Sequence, residues 1–289
     1  MKAAAFDFVR ATTLDDVYAT FERYGGDARI LAGGQSLMPV MNMRLAAPRV
    51  LVDINHVAAL DGISLAGDRL RIGALSRHRD LSASTLVAQH APLLALAAPH
   101  IAHPAIRNRG TLGGSLCHAD PAAELPACAI ACDARINAAG RHGERIIKAA
   151  DFFLGVFETA LEPGEILVSL DIPVVGATER VAFAELARRQ GDYALVGLAA
   201  KGVVDSQILR NLRLVFFSVA DRPLIATQTM AALEGKQYSR EALKTALGAL
   251  ESDLDDLTGD LHASAPTKNH LARVLFGRVL PQLMESGKE

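Results

Sequence analysis

A two-domain α+β protein is predicted by three features of this 289-residue chain. Its length exceeds what one hydrophobic core usually organises, since domains hold roughly 100–150 residues. Strand-like and helix-like runs follow one another in blocks rather than in strict alternation, which points to α+β rather than a doubly wound sheet. The character also changes at the turn Val175-Gly176-Ala177. Short mixed elements precede it, and three strand-like runs followed by three helical stretches come after. We place the boundary there, giving domains of residues 1–176 and 177–289. The first divides again into a small lobe, 1–55, and a second lobe, 56–176.

Residues 13–24 form the first predicted helix. Thr13 can cap it, Asp15 and Asp16 lie in its first turn, and Gly25-Gly26 ends it. A short apolar strand over 28–31 runs into the loop Ala32-Gly33-Gly34-Gln35-Ser36, and 50–54 is a second strand, so the small lobe reads as a βαβ-type unit. Residues 62–66 and 69–73 alternate like antiparallel strands. Helices are predicted at 76–83, 91–98 and 121–131, the last with Pro121 near its first turn, and a glycine-rich loop at 110–115. A hairpin over 134–138 and 144–147 turns around Gly140 and Gly143. A strand over 165–172 stops at Pro173. Beyond the boundary the strands are 181–186, 195–204 and 212–219, and the helices 225–233, 240–250 and 268–280. Pro281 is expected to stop or kink the last one. No internal repeat or low-complexity linker interrupts the chain.

Composition excludes several functions. A net charge of −2 does not make a nucleic-acid surface. The basic pairs Arg107/Arg109 and Arg188/Arg189 read as solvated faces by charge pattern. Three cysteines, Cys117, Cys128 and Cys132, are too few for a disulfide scaffold or for one all-cysteine iron–sulfur cluster. They read as small buried hydrophobes. The N-terminal run is broken by Asp7, Arg10, Asp15 and Asp16, so no signal-peptide core is expected. No stretch of about 18 uncharged apolar residues suggests a membrane span. The expectation is a cytoplasmic protein. His100 and His103 have a helical metal-ligand spacing, but Pro99 and Pro104 break a helix there and no third ligand is evident.

Two loops carry the chemical signal. One is Ala32-Gly33-Gly34-Gln35-Ser36-Leu37. The other is Arg109-Gly110-Thr111-Leu112-Gly113-Gly114-Ser115, followed by Ala119-Asp120-Pro121. Each sets paired glycines beside hydroxyl residues. Glycine lets backbone N–H groups approach a phosphate without an intervening Cβ, and successive N–H groups cradle an anion. Two such loops could hold a pyrophosphate from two sides. Neither is the GxGxxG of a Rossmann site nor the GxxxxGK[ST] of a P-loop.

The segments ILAGGQSLMPVMNMRLAAPRVLVDI, IRNRGTLGGSLCHADPAAELPA and RRQGDYALVG together resemble the FAD-binding middle subunits of xanthine dehydrogenase- and aerobic carbon monoxide dehydrogenase-type molybdenum hydroxylases. The resemblance covers essentially the whole chain, and is nearer the bacterial three-subunit enzymes than the animal xanthine dehydrogenases. It implies a two-part FAD-binding domain of the vanillyl-alcohol-oxidase/PCMH type and a small α+β C-terminal domain, an antiparallel sheet with helices. Ala32, Gly33, Gly34, Gln35, Ser36 and Leu37 would wrap the FAD pyrophosphate, the first five through backbone N–H groups. Thr111, Gly113, Gly114 and Ser115 would meet phosphates and ribityl chain from the other side. Asp120 would hydrogen-bond the cofactor's polar chain. Ile101 and Leu167 would line the flavin pocket, and Tyr193 would lie near the isoalloxazine ring; as a bare sequence feature Tyr193 also fits a strand-face aromatic.

The resemblance further implies non-covalent FAD, with no metal on this chain. Molybdopterin and the [2Fe–2S] clusters would reside on a large and a small partner subunit, in a dimer of heterotrimers. Substrate would be oxidised at molybdenum, and electrons would reach FAD through the clusters and leave to an external acceptor. A free-standing flavin oxidoreductase of the same FAD fold is the alternative. It would need an acid–base pair beside the flavin, which the motifs do not display. His118 lies between the second loop and Asp120, where packing suits it.

Overall fold

The structure, a computed structural model, describes residues 2–285. The small lobe is a three-stranded parallel sheet of order β1-β3-β2. It comprises β1 (Asp7–Arg10), α1 (Leu14–Tyr24), β2 (Ala28–Leu31), α2 (Leu37–Asn42) and β3 (Val50–Asp53). The β1 strand has three exposed positions in four, so no apolar run marks it. It forms because its backbone pairs with the fully buried β3, Phe8 opposite Leu51. Thr13 caps α1 in a complete capping box, with the Asp16 side chain returning to the Thr13 N–H.

The second lobe wraps helices around a five-stranded antiparallel sheet of order β4-β5-β10-β6-β7. Its strands begin with β4 (Ile63–Ala66) and β5 (Arg69–Gly73). Short helices follow: α3 (His78–Ala83), α4 (Thr85–His90), α5 (Pro92–Ala97), α6 (Pro104–Arg107), α7 (Leu112–His118) and α8 (Glu124–Ala131). Next come β6 (Arg135–Gly140), β7 (Gly143–Lys148), α9 (Ala149–Phe152), the small hairpin β8 (Phe153–Gly155) with β9 (Glu158–Thr159), and β10 (Ile166–Pro173). Three expectations change here. The glycine-rich segment is not all loop, because Thr111 caps a helix that takes in Gly113, Gly114 and Ser115. The helix expected from Pro121 begins at Glu124, since Asp120 turns residues 121–123 outside it. Cys128 and Cys132 are buried, but Cys117 is exposed.

The C-terminal part carries a sheet of order β11-β12-β13-β14: β11 (Glu179–Ala187), β12 (Ala194–Asp205), β13 (Ile208–Phe217) and β14 (Leu224–Ile225). Helices α10 (Thr227–Leu233), α11 (Arg240–Asp253) and α12 (Ala265–Glu285) cover it. Both sheet faces are buried, which explains the near-continuous apolar run of β12. Val196, Leu198 and Ala200 face the helices. Ala199 on β12, with Val215 and Phe217 on β13, enters the core of the second lobe. The Phe217 ring lies over Gly197, where no Cβ would fit. Pro281 does not stop α12, which continues to Glu285 with Leu280, Leu283 and Met284 buried. Burial of such side chains, at roughly 1.5–3 kcal/mol each, outweighs the missing N–H. No helix among the described residues is long and apolar enough to cross a membrane.

Candidate functional site

The two glycine loops meet. Loop one leaves the C-terminal end of β2, and its Gly33 packs directly on the backbone of Arg109 and Gly110. A Cβ on Gly33 would overlap the Arg109 carbonyl and lie 2.9 Å from Gly110 Cα. Gly34 adopts φ +71, a left-handed conformation that glycine enters without strain. Arg77, just before α3, bridges the loops. Its guanidinium donates to the Arg109 carbonyl and, at 2.6 Å, to Asn55 Oδ1. Asn55 in turn donates to the Ala32 carbonyl at 2.9 Å. One side chain thus ties the ends of β2 and β3 to the second lobe.

The loops differ in what they leave free. Among the described residues, none accepts a hydrogen bond from the N–H of Gly33, Gly34, Gln35, Ser36 or Leu37. Ser36 does not cap α2 with its hydroxyl, and Gln35 folds its amide back onto the Gly33 carbonyl. Five successive donors therefore face away from the protein's own acceptors. In the second loop the N–H groups are engaged. Leu112 donates to Ser76, Gly113 to Ala74, Gly114 to the Thr111 side chain and Ser115 to the Thr111 carbonyl, at 2.8–3.0 Å. The sequence suggests backbone cradles on both sides. The structure leaves the N–H groups free on loop one alone, and leaves the Thr111 and Ser115 hydroxyls as donors on the other. Gly113 is needed for packing instead: its Cβ would lie 2.7 Å from Ala74 Cβ.

His78 supports the second loop from behind. It is buried, its Nε2 lies 2.9 Å from the Thr111 carbonyl, and its Nδ1 has no partner. Burial pushes its pKa down to about 4. The imidazole is therefore neutral near pH 7, donating from Nε2. Leu167 on β10 is buried close to α7, where the Val168 carbonyl accepts from Ala74 and the Ala74 carbonyl from Gly113.

The other predicted residues lie where α8 meets the C-terminal sheet. Asp120 follows the left-handed Ala119 that ends α7, and one of its oxygens accepts the Ala122 N–H. Tyr193 precedes β12 rather than lying on its face, and is 70 % exposed. The carboxyls of Asp120 and Glu124 are within electrostatic reach of its hydroxyl. Ile101 is buried, and its carbonyl accepts from Arg107, which also binds the Ala102 carbonyl. Arg107 is therefore spent on the backbone rather than solvated. Arg188 and Arg189 both pair with Asp192. Ser218 joins these parts: its N–H donates to the Pro121 carbonyl, its hydroxyl to the Ala194 carbonyl, and its own carbonyl accepts from Lys268.

Asn55, Arg77, His78 and Ser218 belong to no recognisable motif. Their only sequence signal is position, just after a strand or at the start of a helix, and it does not distinguish them from any other polar residue there.

Residues 4–175 match the family described as the FAD binding domain in molybdopterin dehydrogenase, and residues 181–283 the CO dehydrogenase flavoprotein C-terminal domain. The chain belongs to the FAD-binding medium subunits of the molybdenum hydroxylases. This medium subunit is 36 % identical to the 6-hydroxypseudooxynicotine dehydrogenase complex subunit alpha of Paenarthrobacter nicotinovorans, over 100 % of its length and 97 % of that chain. It is 35 % identical to the carbon monoxide dehydrogenase medium chain of Hydrogenophaga pseudoflava, over 95 % and 96 % of the two chains. Its fold matches the structure of carbon monoxide dehydrogenase from H. pseudoflava with a TM-score of 0.94, covering 98 % of both chains. It matches quinoline 2-oxidoreductase from Pseudomonas putida 86 with a TM-score of 0.93 at 35 % identity, covering 100 % of both. The medium subunit is thus an oxidoreductase flavoprotein subunit.

Proposed function

We propose that this chain holds FAD non-covalently and relays electrons within a molybdenum hydroxylase, from the [2Fe–2S] clusters of a small partner subunit to an external acceptor. Molybdopterin and substrate oxidation belong to a large partner, in a cytoplasmic dimer of heterotrimers. Residues 1–176 form the FAD-binding domain and 177–289 the C-terminal domain. The observation that carries this reading is the run of five unengaged N–H groups from Gly33 to Leu37 on a loop clamped to a second glycine segment.

The residues present suit a dinucleotide. The N–H groups of Gly33 to Ser36 would hold the pyrophosphate, because an anion satisfies several converging donors at once. Ala32 and Leu37 flank that run. Thr111 and Ser115 would add hydroxyl donors from the facing side, with Gly113 and Gly114 keeping that side close. The free oxygen of Asp120 would accept from the cofactor's hydroxylated chain. Ile101 and Leu167 would exclude water from the ring, and the exposed Tyr193 would cover it. Bound FAD would supply a centre that takes electrons singly and gives them up in pairs.

The full-length match to medium chains supports a relay over a free-standing oxidase. Rapid mixing of the assembled complex tests it. A flavin-depleted complex with intact clusters and molybdenum should still bleach its iron–sulfur absorbance on adding substrate, and should lose turnover with the natural acceptor. Failure to bleach, or turnover unchanged by flavin loss, would overturn the assignment. Acid or heat should release the FAD intact, whereas flavin retained on the denatured chain would overturn non-covalent binding.

A further inference from the structure

His100 is paired with a buried carboxyl rather than standing as a lone surface histidine. Its Nδ1 lies 3.3 Å from Glu185 Oε1, and the Glu185 side chain is only 7 % exposed against 43 % for His100. The ring packs tilted on Phe183, with centroids 5.1 Å apart. Among the described residues nothing bonds its Nε2. A buried carboxyl thus contacts one nitrogen of a half-exposed imidazole and no protein group bonds the other, the arrangement by which a carboxyl orients a general acid or base. The second Glu185 oxygen is buried and has no partner.

The dyad adjoins the residues assigned to the flavin. His100 precedes Ile101 in the chain. Glu124, at the start of α8, is in electrostatic contact with Glu185, His100 and Asp120, and with Tyr193. Of these, Glu124 on α8 and Glu185 on β11 act on His100 itself. Burial first, then Glu185 and Asp120, push the Glu124 carboxyl up to about 8. The hydrogen bond to Glu185 raises the His100 pKa above its ordinary value.

We propose that the His100–Glu185 dyad donates the proton that accompanies flavin reduction and recovers it on reoxidation, His100 carrying the proton on Nε2 and Glu185 positioning the ring. The inference rests on the FAD assignment above. Electrons come from the partner's reduced iron–sulfur clusters, and the proton leaves His100 Nε2 for the flavin ring. The neutral imidazole then refills from solvent through its exposed face. When the external acceptor withdraws two electrons, the flavin's proton returns by the same route.

The assembled complex tests this in a single turnover, with flavin absorbance and an indicator dye for solvent protons followed together. In the unaltered complex, flavin reduction should run ahead of proton uptake. In His100→Gln the two should coincide, and the flavin phase should slow on the order of a hundredfold with FAD content and iron–sulfur bleaching unchanged. Added imidazole should restore part of the rate. Glu185→Gln keeps the imidazole and serves if His100→Gln loses FAD. Its flavin phase should keep the acid-dependent step but with a midpoint moved to lower pH, because the carboxylate that holds the proton is gone. A flavin phase unchanged in rate and pH profile in either variant, with FAD bound, would overturn the dyad and leave the relay intact. A complex that contains no FAD would overturn the relay itself, and the dyad with it.

Discussion

Gly33 and Arg109, 76 residues apart in the sequence, share a contact in which the Arg109 carbonyl fills the space a Gly33 side chain would need. The glycine is there for the meeting of two loops as much as for a phosphate. Gly33→Val should therefore act on the protein before it acts on the cofactor. Overpacking costs about 1–3 kcal/mol, so the thermal midpoint should fall by several degrees and FAD content should drop. Gly114 is different: it is exposed, and its Cβ would meet only the Thr111 hydroxyl, at 2.7 Å. Gly114→Val should lose FAD with a smaller loss of stability. Calorimetry beside the flavin-to-protein absorbance ratio separates the two cases, and equal midpoints for both variants would contradict this distinction.

Arg77 makes two bonds with one planar fork, to Asn55 and to the Arg109 carbonyl. A lysine carries the charge but cannot reproduce that fork. Arg77→Lys should weaken FAD binding about tenfold, ~1.4 kcal/mol, nearly as much as Arg77→Ala. Flavin titration of the apoprotein measures it, and full retention in the lysine variant would show that charge alone is used.

The buried His78 gives a pH dependence with a definite sign. Its folded pKa of about 4 lies below the ordinary histidine value of 6.5. The unfolded chain therefore binds a proton that the folded chain refuses between those values. The contribution is intact above pH 6.5, declines as pH falls towards 4, and amounts to about 3 kcal/mol at most, at ~1.4 kcal/mol per pH unit. Urea midpoints between pH 7 and 4 should fall for the native chain and fall less for His78→Gln. Parallel pH profiles would contradict it.

Lys268 is buried and bonded to the Ser218 carbonyl and to Asp260, at 2.8 Å for the ion pair. Because Ser218 also holds the backbone beside Asp120 and Tyr193, the C-terminal helices bear on the flavin side of the molecule. Lys268→Met should cost about 2 kcal/mol, less than a fully buried pair because Asp260 is partly solvated. It should also alter the visible spectrum of bound FAD. A spectrum unchanged while the thermal midpoint falls would confine Lys268 to stability.

The loops were legible because their chemistry is local. Paired glycines beside hydroxyls suggest a phosphate cradle from a few neighbouring residues, and the Thr13 cap of α1 needs only the first turn. The strand β1 was not legible, because Asp7 to Arg10 has no apolar alternation and exists only against β3. Of the two outcomes that Pro281 allows, a stop or a kink, the stop does not occur, because the burial of Leu283 and Met284 overrides the local stereochemistry.

From its residues alone this chain fixes two α+β parts, two glycine loops and too few cysteines for an iron–sulfur cluster, and its motifs name the flavin family. Those properties depend on neighbours within a few residues or on simple counting. Folding decides which N–H groups stay free. It engages those of Leu112 to Ser115 through Ser76, Ala74 and Thr111, and leaves those of Gly33 to Leu37 without an acceptor. It also sets Glu185 behind His100, and Arg77 between Asn55 and Arg109. These pairings join residues 22 to 85 positions apart. Hydrogen-bond partners and burial at that separation follow from packing, which no local pattern encodes.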